Sequence, residues 1–238
     1  MNKVHAIIPA RGGSVGIPRK NIALVGEHPL LAYSIKACQL CRHIDRVIVS
    51  TEDEEIADVA RFYGAEVPFM RPQEHSANNS RDVGFLSHFF DNIDTEQVAL
   101  IRPTTPLRDP EKMSEAIVAF FEHKDEITSL RTLNAVNQSP YKLFQLENNI
   151  CKGMFPDFNG IKNYSNLPRQ MFPRCYEGNG LIDLVKKETV AKGDAFGDKI
   201  YGFVIDKLVD IDSKFDLEIL KLQINTEKDL LTKHLEML

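Results

Sequence analysis

Residues 3–9, KVHAIIP, and residues 10–21, ARGGSVGIPRKN, decide the fold. The first run is short, β-branched and closed by proline, which reads as a buried strand. The second is rich in glycine and cations and reads as the loop that leaves the strand. Outward from here the hydrophobic period keeps changing. Leu30, Leu31, Ile35, Cys38 and Leu40 recur at helical spacing and predict a helix over 29–41. Residues 46–50, RVIVS, are too short and too β-branched for a helix and predict a second strand. Thr51 and Glu54 have the spacing of a capping box, the acidic run 52–55 faces the positive end of the next helix, and Gly64 closes it. The same beat predicts a strand over 66–70, a helix over 81–91, a strand over 98–102, a helix over 110–123 begun by proline, and a strand over 127–133. Such alternation specifies a doubly wound α/β fold, a mostly parallel sheet with helices on both faces. Between 134 and 176 it fails, and short pieces separated by Asn, Gly and Pro predict an inserted arm rather than a second domain, so 1–238 reads as one domain. Regular pattern returns with strands over 200–205 and 209–212 and helices over 215–223 and 227–237.

At 238 residues, 43% hydrophobic and 26% charged, the chain has globular proportions and is long enough to need no metal clip or disulfide framework. A net charge of −5 argues against nucleic acid or an anionic membrane as the main partner, so any anionic ligand needs a local cluster of cations. The opening residues hold only a short apolar run, and no stretch of about 18 apolar residues occurs later, which predicts a cytoplasmic protein with no membrane span. Cys38, Cys41, Cys151 and Cys175 are too sparse for a disulfide scaffold, and Cys38-Gln-Leu-Cys41 lacks a second ligand pair for zinc.

Ligands of open parallel sheets bind at the carboxyl ends of the strands. The loop over 10–21 is neither a dinucleotide fingerprint nor a Walker A loop, because Gly12, Gly13 and Gly16 have the wrong spacing. Its glycines let backbone N–H groups approach an anion, and Arg11, Arg19 and Lys20 suit a polyphosphate; the alternative is a tight βα turn with solvated charges. Asp210-Ile-Asp212 follows an apolar stretch, and a period of two points both carboxylates the same way, as oxygen ligands for Mg²⁺ beside phosphate or as turn chemistry. Residues 102–108, RPTTPLR, form a loop stiffened by two prolines whose arginines and threonines either donate toward the same sheet edge or serve rigidity alone. In the arm, Arg169 either forks onto a substrate carboxylate or is a surface arginine. The seven histidines show no metal-ligand spacing, and neither G-x-S-x-G nor H-E-x-x-H occurs, so hydrolase triads and zinc peptidases lack support.

Together IIPARGGSVGIPRKNI (7–22), RPTTPLRD (102–109), LPRQ with a following NG (167–180) and VDIDSKFDLE (209–218) resemble the acylneuraminate cytidylyltransferases, or CMP-sialic acid synthetases. The resemblance covers most of the chain in the right order. It implies a Rossmann-like nucleotidyltransferase fold with a dimerisation arm, and transfer of CMP from CTP to the anomeric hydroxyl of a nine-carbon 2-keto sugar acid, with Mg²⁺ and release of pyrophosphate. It implies that Arg11 and Lys20 hold the triphosphate over Gly12, Gly13 and Ser14, that Asn21 places the nucleotide, and that Arg71 and Ser80 lie along the cytidine pocket. It further implies Asp210 and Asp212 as metal ligands, Asp212 or a metal-bound hydroxyl as base, and Arg102, Thr104, Arg169 and Gln170 as contacts of the sugar acid. A homodimer in which one arm reaches the partner's site belongs to the same resemblance. Two positions depart from it. Val15 stands where the family carries lysine, leaving Lys20 or Arg19 to compensate, and Arg102 stands where it carries glutamine, which leaves legionaminic and pseudaminic acids open beside N-acetylneuraminate. An eight-carbon acid, a sugar phosphate, or a nucleotide-binding protein without catalysis are the alternatives.

Overall fold

A computed structural model describes residues 2–14, 16–77, 79–226 and 230–236. The opening stretch forms β1 (Val4–Pro9), and the glycine loop leads into a small hairpin of β2 (Leu24–Val25) and β3 (His28–Pro29) before α1 (Leu30–Leu40). Then come β4 (Ile44–Ser50), α2 (Glu54–Phe62), α3 (Asp82–Asn92), β5 (Gln97–Leu100), α4 (Pro110–His123) and β6 (Ser129–Ala135). The arm holds β7 (Phe144–Glu147) and β8 (Ile150–Gly153), and the chain returns through β9 (Tyr176–Lys186), α5 (Lys187–Ala191), β10 (Ile200–Val204), α6 (Lys214–Thr226) and α7 (Leu230–Leu235). No helix among the described residues is long and apolar enough to cross a membrane.

The main sheet has the order β10-β6-β9-β5-β1-β4, parallel throughout except for β9, which runs antiparallel between β5 and β6. Both faces are covered. Within β1 the alternation is explicit: Ala6 and Ile8 enter one core with α1 and α4, whereas Ile7 enters a second core with Phe85, Leu86, Phe89 and Phe90 of α3. The carboxyl ends of β1, β4 and β5 thereby open onto the same edge.

Four local readings are corrected. The helix after β4 is capped by Asp53, whose carboxylate accepts the Ile56 N–H at 3.1 Å, while Thr51 Oγ1 accepts from the Asp53 N–H; the capping box does not form. The strand over 66–70 shrinks to a single bridge between Glu66 and Ile48, because Pro68 has no N–H to continue the ladder. The strand over 209–212 is absent, although Ile211 is fully buried between exposed Asp210 and Asp212 and its N–H donates to the Thr104 carbonyl at 2.8 Å. β9 has no counterpart among the expected strands, since Asp183 interrupts its apolar run while lying buried inside the sheet.

The arm, residues 137–175, leaves the sheet between β6 and β9. Its hairpin turns at Asn148 and Asn149, both at positive φ (47° and 64°), as a two-residue turn with right-handed strand twist requires. Both strands of that hairpin are exposed along their whole length. Order comes from rings around Tyr141, which stacks on Phe172 at 5.2 Å and meets Phe155, Phe158 and Tyr164.

Candidate active site

β1 delivers the glycine loop to the sheet edge, and Lys20 begins a short 3₁₀ turn that sets its amino group under the far segment. Lys20 Nζ donates to the Ile211 carbonyl at 2.6 Å and lies 3.5 Å from Asp212 Oδ1. Gly16 allows this approach, for a Cβ there would sit 2.7 Å from the Asp212 carbonyl oxygen. Sequence separation of nearly the whole chain is thus closed by one ammonium.

A cavity of about 440 Å³ opens beside this contact, lined by Arg11, Ser14, Lys20, Asn21, Arg71, Ser80, Arg102, Thr104 and Asp212. Four cations face it against the carboxylates of Asp82 and Asp212, a balance that suits an anionic ligand. Gly12, Gly13, Asp210, Arg169 and Gln170 do not line it. Gly13 is exposed with open space around it. Asp210 accepts from Thr105 Oγ1 at 3.3 Å. Arg169 and Gln170 are exposed on a turn of the arm. Val15 lies outside the described residues.

The loop is less open to anions than its composition suggests. The Gly12 N–H donates to Glu52 Oε1 at 2.7 Å, so a carboxylate of the chain already holds the amide offered to phosphate. Arg19 is paired with Asp53 and Glu55, and it therefore serves the loop's own conformation, at φ 55°. Two loop cations, Arg11 and Lys20, remain facing the cavity. Arg11 Nη1 donates to the Ala77 carbonyl at 3.1 Å, and Asn21 Nδ2 ties the loop back to the Arg11 carbonyl at 2.8 Å.

Arg71 is buried, donates through Nε to Ser50 Oγ at 3.0 Å and through Nη2 to the Ser50 carbonyl, and lies over the Phe85 ring at 5.1 Å. Burial lowers its pKa to about 10, which still leaves it charged at neutral pH. Arg102 donates to Asp82 Oδ2; burial pulls its pKa down, but that hydrogen bond and the charges of Asp82, Asp183 and Asp210 outweigh it and raise the guanidinium above its ordinary value. Arg108 differs from the expectation of a donor at the sheet edge. It is fully buried and donates inward to the carbonyls of Leu181 (2.8 Å) and Gly180 (2.9 Å) and to Ser34 Oγ, which staples the 102–108 loop to β9. Sequence reading missed His75, Asp82 and Phe85, which complete the cavity wall from the 71–85 segment, because the resemblance marked only Arg71 and Ser80 there.

A mostly parallel sheet that gathers a glycine loop, a basic cavity and an acidic pair at its carboxyl edge defines a nucleotide-binding α/β protein of the nucleotidyltransferase kind. Residues 5–152 match the cytidylyltransferase family model, and the chain belongs to that family. It is 31% identical over 239 residues to a CMP-N,N'-diacetyllegionaminic acid synthase of Campylobacter jejuni, covering 94% of this chain and 96% of that protein. It is 29% identical over 221 residues to an N-acylneuraminate cytidylyltransferase of Escherichia coli, covering 91% of this chain and 51% of that protein, so it spans about half the length of that relative. Among solved structures, a CMP:2-keto-3-deoxy-manno-octonic acid synthetase complexed with CTP shares the fold, with a TM-score of 0.72 at 12% identity over 94% of this chain and 99% of that one.

Proposed function

We propose that the chain transfers CMP from CTP to the anomeric 2-hydroxyl of a nine-carbon 2-keto sugar acid and releases pyrophosphate. One observation carries the reading: Lys20 joins the glycine loop to the Asp210–Asp212 segment on the wall of a single basic cavity. The acceptor oxygen bonds to the α-phosphorus, the bond from that phosphorus to pyrophosphate breaks, and the hydroxyl proton passes to Asp212 or to solvent. No protein nucleophile is required. Arg11 and Lys20 oppose the negative charge that grows on the non-bridging oxygens and on the departing group. Arg71 and Ser80 line the nucleoside side, and Arg102 with Thr104 faces the acceptor.

Two exposed carboxylates flanking buried Ile211 are hard oxygen donors of the kind Mg²⁺ prefers. Among the described residues no group of three or more His, Cys, Asp or Glu side chains could hold a metal, so phosphate oxygens and water must complete the shell on Asp210 and Asp212. The ion, when bound, supplies charge neutralisation at the phosphates. Arg169 and Gln170, exposed on the arm, fit a homodimer in which they reach the partner's cavity and meet its sugar acid. A cytoplasmic location, where CTP is available, accords with this reading.

Pyrophosphate release with CTP against N-acetylneuraminate, legionaminic, pseudaminic and eight-carbon 2-keto acids, with Mg²⁺ and with chelator, tests it. Turnover with at least one nine-carbon acid, abolished by chelation, is expected. CTP binding with no release for any acid points to a nucleotide-binding protein without catalysis.

A further inference from the structure

We infer that Asp183, a buried carboxylate that the proposed chemistry does not use, is a positioning residue for the acceptor: from inside the sheet it holds the Arg102 guanidinium at the cavity wall. The inference rests on Arg102 facing the acceptor, as proposed above.

The strand register puts these groups on one face. Along β9, Ile182 and Leu184 enter the first core and Val185 the second, so Asp183 points to the second-core face, where α3 packs. Its Cα partners are Leu100 of β5 and Arg131 of β6. Leu100 enters the second core and Ile101 the first, so Arg102, two residues past Leu100, returns to the side of Asp183. Two contacts agree with this placement: Arg102 Nη2 donates to Asp82 at the start of α3, and Arg131 lies over the ring of Phe196, which packs on the second core, at 4.3 Å. The result is a row of alternating charge across three strands and a helix: Arg131, Asp183, Arg102, Asp82. Its last two members line the cavity.

Arg131 alone does not account for the carboxylate. Asp183 is 3% exposed and, among the described residues, accepts one hydrogen bond, from Arg131 Nε at a long 3.4 Å. A buried charge so thinly satisfied is costly, and an apolar residue of similar size often serves stability as well. What the carboxylate adds is a second counter-ion for Arg102. Burial pulls the Arg102 pKa down, and the charge of Asp183, with those of Asp82 and Asp210, more than offsets that pull. Asp82 attracts the guanidinium from the helix side and Asp183 from the sheet side, so it stays between them at the wall instead of collapsing onto Asp82.

Pyrophosphate release by the intact protein tests this, with CTP and whichever of N-acetylneuraminate, legionaminic and pseudaminic acid is turned over fastest. Asp183→Asn is expected to raise KM for the acid about tenfold, as loss of a partner behind a binding group does, while KM for CTP stays within about twofold. An acid KM that rises no more than the CTP KM, whatever happens to kcat, marks a merely structural carboxylate and overturns the inference. Asp183→Thr, β-branched and suited to a strand, takes its place should the asparagine variant not fold. In an Arg102→Gln background either substitution is expected to add less than about twofold to the acid KM, because the group it positions is gone; a further tenfold rise overturns the inference. Urea midpoints give an arm independent of turnover. The shifts caused by Asp183→Asn and Arg102→Gln are expected not to add in the double variant, and strict additivity overturns the inference. No release by the unaltered protein with any of the acids overturns the transfer reaction, and the midpoints then still decide whether Asp183 holds Arg102.

Discussion

The sheet and the arm achieve order by opposite means. In the sheet β1 and β5 give alternate residues to two cores, and Ala6, Ile7 and Ile8 are all fully buried. In the arm, Phe144, Leu146 and Ile150 are 52%, 66% and 65% exposed, and a two-stranded hairpin with no covered face is marginal in water. The arm keeps its shape through the rings gathered on Tyr141 and through Tyr164, whose hydroxyl accepts the Phe155 N–H and donates to the Phe155 carbonyl. The sheet is complete by itself, while the apolar hairpin face calls for a second surface, which the proposed homodimer supplies.

The sharpest way to break this comparison is to empty one core. Phe89→Ala removes a fully buried ring beneath β1 and β5 and is expected to cost about 3–5 kcal/mol, enough to unfold much of a marginally stable domain. Urea unfolding measures it, and a cost below about 1 kcal/mol would mean that α3 is not part of the sheet's core. Next in size is Lys20→Ala, which leaves both cores intact. Pyrophosphate release is expected to fall by about 10²–10³, the usual loss on removing one preorganised charge donor, with the circular dichroism spectrum unchanged. Near-normal turnover would detach the glycine loop from the chemistry.

For the arm the expected signs reverse. Leu146→Asp is expected to change the unfolding free energy by less than about 0.5 kcal/mol, as exposed positions do, yet to shift sedimentation from dimer toward monomer and to lower turnover. An unchanged sedimentation profile would show that the hairpin face is not the partner's surface.

Legibility in the sequence follows the same division. β1, α1, β4 and α4 were readable because periodicity alone distinguishes a strand buried on two faces from an amphipathic helix, and α4 begins at Pro110 as its proline and the Asp109 cap dictate. β9 was not readable, because Asp183 is buried in the sheet beside Arg131, 3.4 Å away, and such pairing across the fold is invisible along the chain. Likewise the glycine loop read as an anion site or a tight βα turn, and the capture of Gly12 by Glu52 and of Arg19 by Asp53 depends on the β4–α2 turn being folded against it. For Arg108 the choice between a donor at the sheet edge and a stiffener of the loop stayed open, because sequence cannot show that five backbone and hydroxyl oxygens surround it. Motifs named the chemistry here, and packing decided which of their side chains were left free to perform it.

The smallest expected effect again separates sheet from arm, and it concerns acid. His5, His43 and His88 all belong to the body, and burial is the largest cause that holds each below the ordinary 6.5. The Nδ1 atoms of His43 and His88 are buried without a hydrogen-bond partner, so the folded state prefers the neutral rings. Because their folded values are depressed, the unfolded chain takes up protons first as pH falls through 6.5. Their contribution to stability is therefore full above that value and is lost progressively below it, down through the depressed folded values. The arm, residues 137–175, contains no histidine. Lowering the pH from about 7.5 to 5.5, above the ordinary range of exposed carboxylates, is expected to lower the urea midpoint of the body while leaving arm proteolysis rates unchanged; burial pushes the Asp183 carboxyl up, so any proton it takes in the folded state works against that loss. His88→Gln is expected to flatten part of that slope, and a slope that stays the same in His88→Gln and His43→Gln would assign the acid sensitivity to other groups.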